Sequence, residues 1–213
     1  MRYEELLALC SELHNNQYDR RRNFEIQKAL NAWEQTVDLS NALELLDSCA
    51  VKSDYGYVFI YVLSALQSAL SKCAARIPGR VKPSLICDNV MTCAQWFHYP
   101  VMKVKELGEI KKRLILLLEN GKLNGFNIIK VAKLITIILF NELWAVDDAL
   151  CITIFAISNE TIKLDFIRVF IEDFLSAKSL GLEHQTHIYT CLYQSAQYII
   201  GRDCQVFGAF LKV

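Results

Sequence analysis

The chain has 213 residues, of which 53% are hydrophobic and 22% charged, and its 23 basic residues balance its 23 acidic ones. This length is enough for one sizeable core, and no stretch has the composition of a flexible linker, so we expect a single all-helical domain over residues 1–213. Only three prolines and eight glycines are present. That scarcity disfavours a strand-rich fold, because strands need frequent turns.

Apolar residues recur at helical spacing from the N-terminus onward. Leu6 and Cys10 share one face of a first predicted helix, and Ile26, Leu30 and Trp33 follow at spacings of four and three in a second. Both helices are amphipathic, with one face suited to a core.

The next two helices differ in character. A helix from about Leu39 to Val51 has Asp38 or Ser40 available as a cap for its free N–H groups. The helix after it, about Tyr55–Ile77, is apolar on nearly every side, which predicts a central, buried position. Pro78 ends it, because proline has no N–H to donate.

Seven further helices complete the predicted pattern. A helix is expected from Pro83 to about His98, and then a charged helix to Glu119 whose lysines, including Lys111 and Lys112, point mostly outward. A second almost entirely apolar helix runs over about Phe126–Trp144. Further helices are expected over about 147–157, from a cap at Ser158 onward, over about 182–200 and over 202–213.

The starts of successive helix pairs predict a repeat architecture. Pairs begin near residues 38, 83, 125 and 159, at intervals of about 34 to 45 residues, which are typical of two-helix solenoid repeats. We therefore expect stacked antiparallel helical hairpins, an α-solenoid of HEAT-like or armadillo-like architecture. Because no side-chain signature recurs, a compact irregular helical bundle is the alternative.

Targeting signals and cysteines point to an intracellular protein, in the cytoplasm or the nucleus. The longest apolar run, residues 128–140, contains two lysines and is shorter than the roughly 20 residues that a membrane span needs. No basic, apolar-centred signal peptide begins the chain. The eight cysteines are scattered, which favours free buried thiols over disulfides. The apolar end, residues 207–213, fits equally a fragment of a longer chain and a natural terminus.

Chemistry-bearing motifs are scarce. His184, His187 and Cys191 would share one helix face, but a fourth zinc ligand is missing nearby, so exposed histidines beside a core thiol are the preferred interpretation. Cys87 and Cys93 lack a base at a suitable spacing. Phosphate-binding loops and the common hydrolase and metalloprotease motifs do not occur. We expect no catalytic, cofactor-binding or metal-binding residues, and hence no enzyme.

Charge is unevenly distributed along the chain. Residues 52–141 hold 13 basic against 5 acidic residues, whereas residues 1–51 and 142–213 each hold 5 against 9. The basic middle provides a candidate surface for nucleic acid, unless its charges spread over several helix faces or pair with the acidic ends. Its contributors are Lys72, Arg76, Arg80, Lys82, Lys103, Lys105, Lys111, Lys112, Arg113, Lys122, Lys130 and Lys133. The run Arg20–Arg22 is interpreted as a solvated loop.

Two functions fit these features. The first is a non-enzymatic scaffold or adaptor that holds a helix or peptide of a partner protein in a groove of a helical-repeat surface, or that associates with copies of itself. The alternative is an RNA-binding helical-repeat domain that uses the basic middle region, residues 52–141. Neither function involves a membrane.

Overall fold

The computed structural model describes residues 1–15, 19–75, 104–142, 149–176, 186, 189–194 and 197. Of these residues 88% are helical and none lies in a strand, which confirms the all-α prediction. The helices are α1 Tyr3–Asn15, α2 Arg20–Thr36, α3 Leu39–Lys52, α4 Tyr57–Ala75, α5 Val104–Glu119, α6 Gly125–Glu142, α7 Ala149–Ala156 and α8 Glu160–Ser176. Residues 189–194 are helical as well.

The chain divides into two compact units. Unit 1 comprises Met1–Cys73 and unit 2 comprises Ala74–Val213. The single domain over residues 1–213 stays a prediction.

Carboxylate caps begin two of the helices in unit 1. The Asp19 side chain accepts a hydrogen bond from the Arg22 N–H at 3.0 Å, and Asp38 accepts one from the Asn41 N–H at 2.8 Å. Each cap satisfies a donor that the first helical turn leaves without a backbone partner. The Arg20–Arg22 run is therefore the first turn of α2, and its interpretation as a loop is wrong.

The end of α3 ties α1 into unit 1. Ser53 adopts a left-handed conformation with φ of 53°, which reverses the chain after α3. Beyond it, Asp54 Oδ2 accepts a hydrogen bond of 2.6 Å from the hydroxyl of Tyr3. Lys52 Nζ lies 3.9 Å from the centre of the Tyr3 ring and 2.6 Å from Glu4 Oε1. Burial and the Asp54 carboxylate raise the pKa of Tyr3 above its ordinary value, so its hydroxyl stays protonated as a donor.

The buried position predicted for the helix over about Tyr55–Ile77 is confirmed by α4. Between Val58 and Leu70 no side chain of α4 is exposed, and Phe59, Leu63 and Leu66 are fully buried. The amphipathic face predicted for α2 is confirmed too, since Ile26, Leu30 and Trp33 are all buried. The mostly apolar α4 is thus covered on nearly every side between Val58 and Leu70, whereas α2 buries one face and exposes its polar face.

Unit 2 is organised around α6. This helix packs mainly against α5 and α8, and from Val131 to Leu139 only Lys133 is exposed. Gly121 ends the turn after α5 with φ of 68°, a conformation that glycine adopts without steric cost. The buried apolar helix predicted over about Phe126–Trp144 is confirmed from Val131 to Leu139, whereas Phe126 in its first turn is 56% exposed.

Two local predictions for unit 2 are wrong. Lys111 was expected to face outward but is only 9% exposed, because it lies four residues after Leu107 and three before Leu114, on the buried face of α5. Its long aliphatic stem suits such a position. The cap of α8 is Asn159 rather than Ser158, since Asn159 Oδ1 accepts from the Ile162 N–H at 3.2 Å.

Two further findings concern membranes and thiols. Among the described residues, no helix combines the length and the apolar character that crossing a membrane requires. Cys10, Cys49, Cys151 and Cys191 are buried, and Cys10 and Cys49 are free thiols.

Candidate interaction surface

Half of the predicted basic surface lies where the structure gives no side-chain positions. Arg76, Arg80, Lys82 and Lys103 are outside the described residues, and the side chains of Lys72 and Lys105 are likewise outside them. Whether the basic middle forms one patch therefore stays a prediction.

The other six basic residues occupy different environments. Lys112, Arg113, Lys122 and Lys133 are exposed, whereas Lys111 is buried. Lys112 is held by Glu109 on its own helix, with Nζ 2.8 Å from Oε1. The ammonium of Lys130 lies 5.4 Å from the centre of the Phe126 ring, a cation–π contact within α6.

Lys133 of α6 acts electrostatically on the carboxylate of Asp173 in α8. Burial raises the pKa of Asp173 above its ordinary value, and the positive charge of Lys133 acts in the opposite direction. The adjacent Glu172 is exposed, because neighbours on a helix point about 100° apart. Glu172 therefore lies in solvent, whereas the carboxylate of Asp173 is half-buried.

The zinc and thiol candidates lie mainly outside the described residues. That is true of His184, His187, Cys87 and Cys93, whereas Cys191 is buried. Within the part of the chain that the structure describes, no three His, Cys, Asp or Glu side chains are grouped so as to hold a metal ion.

Exposed apolar side chains lie next to one another on α7. Ile152 is 54% exposed and Phe155 is 38% exposed, and Ala156 is exposed beside them. The spacing of three and four residues places the three on one side of the helix. The opposite side, with Leu150 and Ile154, is buried. We call Ile152, Phe155 and Ala156 the α7 face.

The composition of the α7 face distinguishes it from the outer faces of neighbouring helices. The outer side of α5 carries Glu109 and Lys112 beside the exposed Leu116, and that of α8 carries Arg168, which bridges Asp165 at 3.2 Å, beside the exposed Leu175. By contrast, every exposed residue of α7 is apolar. An exposed helix face without charged residues is a candidate contact surface for another molecule.

Hydrogen bonds position the segment that follows α7, and the one buried hydroxyl of α7 is bonded within the helix. Thr153, in the same helix, donates its hydroxyl to the Ala149 carbonyl at 2.7 Å, so its polar group is satisfied internally. After α7, the Glu119 carboxylate accepts from the N–H groups of Ser158 at 2.9 Å and Asn159 at 3.3 Å. This contact anchors the segment between α7 and α8 to the end of α5.

Sequence reasoning did not single out the α7 face. The available signal was the stretch 149–157, in which Thr153 is the only polar residue. The helices α4 and α6 are also mostly apolar and are largely buried, so sequence alone does not separate an exposed apolar helix from a buried one.

Comparison of this chain with protein-family models, with curated proteins and with solved structures gives no match.

Proposed function

We propose that this chain is a non-enzymatic scaffold that binds a segment of a partner protein on the surface of stacked helical hairpins. The observation that carries the proposal is the α7 face, because every exposed residue of this helix is apolar and Ile152 and Phe155 are the largest of them. A partner segment with a complementary apolar stripe would remove these side chains from water.

Packing within unit 2 supports the stacked-hairpin part of the proposal. The helix α6 packs against its sequence neighbour α5 and against α8, the next helix but one. Stacked hairpins produce both kinds of contact, one within a hairpin and one between equivalent helices of successive hairpins.

The size of the α7 face sets the expected contribution. Ile152 and Phe155 are roughly half exposed, so complete burial of both would contribute about 2 kcal/mol. That is a factor of about 30 in a dissociation constant. The face would therefore be an anchor within a larger contact, and an amphipathic helix is the partner segment that fits it best.

The proposed setting is the interior of the cell. Cys10 and Cys49 are buried free thiols in the described part of the chain. Free thiols persist in a reducing compartment, where disulfides are rare.

Affinity capture with matched variants tests the scaffold function. The tagged full chain and an Ile152→Ser/Phe155→Ser variant are incubated with extract of the source cells, and bound proteins are quantified by mass spectrometry. We expect at least one protein to be retained at high salt by the wild type and to be reduced about tenfold or more by the double substitution.

The control is Thr161→Ala/Glu172→Ala, which alters two exposed residues of α8 without touching the α7 face. This variant should retain the same proteins as the wild type. Equal recovery with both double variants, at matched helical content, would refute the α7 face as the binding surface.

RNA binding is the second candidate. It is favoured by the exposure of Lys112, Arg113, Lys122 and Lys133 in unit 2. Phosphate contacts would make the affinity fall steeply as salt rises. Titration of polyuridylate at low salt should then show binding that Lys112→Gln/Arg113→Gln weakens, and no binding at micromolar protein would eliminate this candidate.

A further inference from the structure

An exposed phenyl ring on α2, that of Phe24, does not contribute to the core of unit 1. Phe24 is 70% exposed, although it belongs to an otherwise well-formed amphipathic helix. Its position on α2 is roughly 120° to 180° around the helix axis from Ile26, Leu30 and Trp33, which form the buried face. Phe24 therefore points away from the core, and packing within unit 1 does not explain a phenyl ring there.

Two cations flank this ring on the same helix face. Arg20 and Lys28 are four residues before and four residues after Phe24, which places them one turn away on either side. Both are exposed, and neither forms an ion pair with any residue that the structure describes. The face is therefore cationic at both ends and aromatic in the middle.

The neighbouring arginines differ in this respect. Arg22 is held by Glu12, with Nε 2.6 Å from Oε1, and Arg21 lies 3.7 Å from Glu25. Helix stability does not explain Arg20 either, because a positive charge in the first turn opposes the helix dipole. Arg20 and Lys28 are thus available to an outside carboxylate, while the nearby acids Glu12 and Glu25 are already engaged.

We propose that Arg20, Phe24 and Lys28, the α2 docking face, bind an acidic segment of a partner protein in which an apolar side chain lies between two carboxylates. Charge complementarity selects the acids and the exposed ring selects the apolar residue. This inference rests on the proposed scaffold function, and it names a partner chemistry for a face other than that on α7.

Spacing defines the segment more closely. Arg20 and Lys28 are eight residues apart on a helix, which is about 12 Å along its axis. In an extended chain, residues i and i+4 are about 13 Å apart and lie on the same side as residue i+2. A segment with the order acid, any residue, apolar residue, any residue, acid therefore matches the α2 docking face.

An NMR titration of the isotope-labelled full chain tests this proposal. The probe is a synthetic peptide with Asp-Ser-Phe-Ser-Asp between Gly-Ser flanks, compared at low salt with a peptide that has Asn in place of both Asp. We expect the acidic peptide to bind at least about tenfold more tightly, with shifts concentrated in residues 20–31.

Three variants assign the contacts. Arg20→Glu/Lys28→Glu should weaken peptide binding at least about tenfold, because both cations become acids. Phe24→Ser should weaken it about fivefold through the lost apolar contact, and this substitution should leave the fold intact because Phe24 is exposed. The control Arg2→Glu/Lys122→Glu makes the same change in net charge elsewhere and should change the affinity less than about threefold. An equal loss in the control, or equal binding of the neutral peptide, would overturn the proposal.

Other occupants give different results, each of which also overturns it. A nucleic acid is the occupant if polyuridylate binds more tightly than the peptide and Phe24→Ser leaves that binding unchanged. A second copy of the chain is the occupant if sedimentation shows a concentration-dependent dimer that Phe24→Ser abolishes. Failure at the α2 docking face leaves the scaffold function standing if the Ile152→Ser/Phe155→Ser variant still loses its partner.

Discussion

Thr136 is a polar residue in an apolar environment. It lies fully buried in α6, and its hydroxyl oxygen has no hydrogen-bond partner among the residues that the structure describes. Thr153 of α7 is also fully buried, but its hydroxyl bonds to the Ala149 carbonyl at 2.7 Å. The two threonines are both buried in helices, but only the hydroxyl of Thr153 has a hydrogen-bond partner among the described residues.

We expect Thr136→Val to stabilise the protein by about 1 kcal/mol, because it replaces an unsatisfied hydroxyl by a methyl group of similar size. The matched substitution Thr153→Val removes a hydrogen bond that is made, so it should be neutral or destabilising. Urea denaturation measures both. A Thr136→Val variant less stable than the wild type would show that the hydroxyl has a partner in solution.

Cys49 shows how burial controls protonation. The thiol is fully buried in α3, and desolvation, followed by the charge of Asp54, raises its pKa to about 12. The folded state therefore holds the protonated thiol, while the thiol of an unfolded chain ionises near its ordinary pKa of 9.0. This contribution to stability is complete below that value and is lost as pH rises towards 12.

Cys49→Ala should therefore show a smaller loss of stability at alkaline pH than the wild type. Between pH 8 and 10.5 we expect the difference in the fall of the unfolding free energy to be about 1 to 2 kcal/mol. Leu45→Ala, a buried residue of the same helix, is the control and should keep the full alkaline fall. Identical falls in all three proteins would contradict protonation of the Cys49 thiol as the cause.

At the scale of elements, Glu119 links three helices. It is the last residue of α5, and its carboxylate receives the N–H groups of Ser158 and Asn159, between α7 and α8. A carboxylate at this position satisfies donors ahead of α8 and also complements the dipole of that helix.

Removal of this carboxylate should loosen the segment after α7. We expect Glu119→Ala to cost about 1 to 2 kcal/mol, by analogy with the loss of a helix cap. Glu106→Ala removes an exposed carboxylate from the first turn of the same helix and should cost less than about 0.5 kcal/mol. Urea denaturation of both variants makes the comparison, and equal costs would rule out a capping role for Glu119.

The same contact shows what sequence could and could not predict about elements. The apolar periodicity of α2 and the predominantly apolar character of α4 and α6 are local, and the helices and the central burials predicted from them are confirmed. The cap at Ser158 was wrong because Ser and Asn are both good caps. The choice is linked to Glu119, 39 residues earlier in the chain, a contact that no local pattern reports.

Lys111 illustrates a different limit. Its charge predicted exposure, but its register on α5 between Leu107 and Leu114 places it on the buried face. The position of Lys111 in the helical repeat therefore determined its burial more than its charge did. A lysine can pack its long aliphatic stem against apolar neighbours while its ammonium group lies in a polar environment.

At the scale of the whole molecule, the all-α class was predictable because it follows from composition and repeated helical spacing. The α7 face was not, because exposure of an apolar helix depends on what packs around it. The proposed scaffold function depends on that face, whose exposed residues are all apolar.

Site-specific photo-crosslinking tests the scaffold proposal most directly. A benzoyl-phenylalanine placed at Phe155 keeps an aromatic ring in the α7 face, and the same group at Thr161 in α8 serves as control. After irradiation in the source cells, we predict a defined protein adduct from position 155 that is absent from position 161. No adduct at 155, or the same adducts from both positions, would contradict the scaffold function assigned to the α7 face.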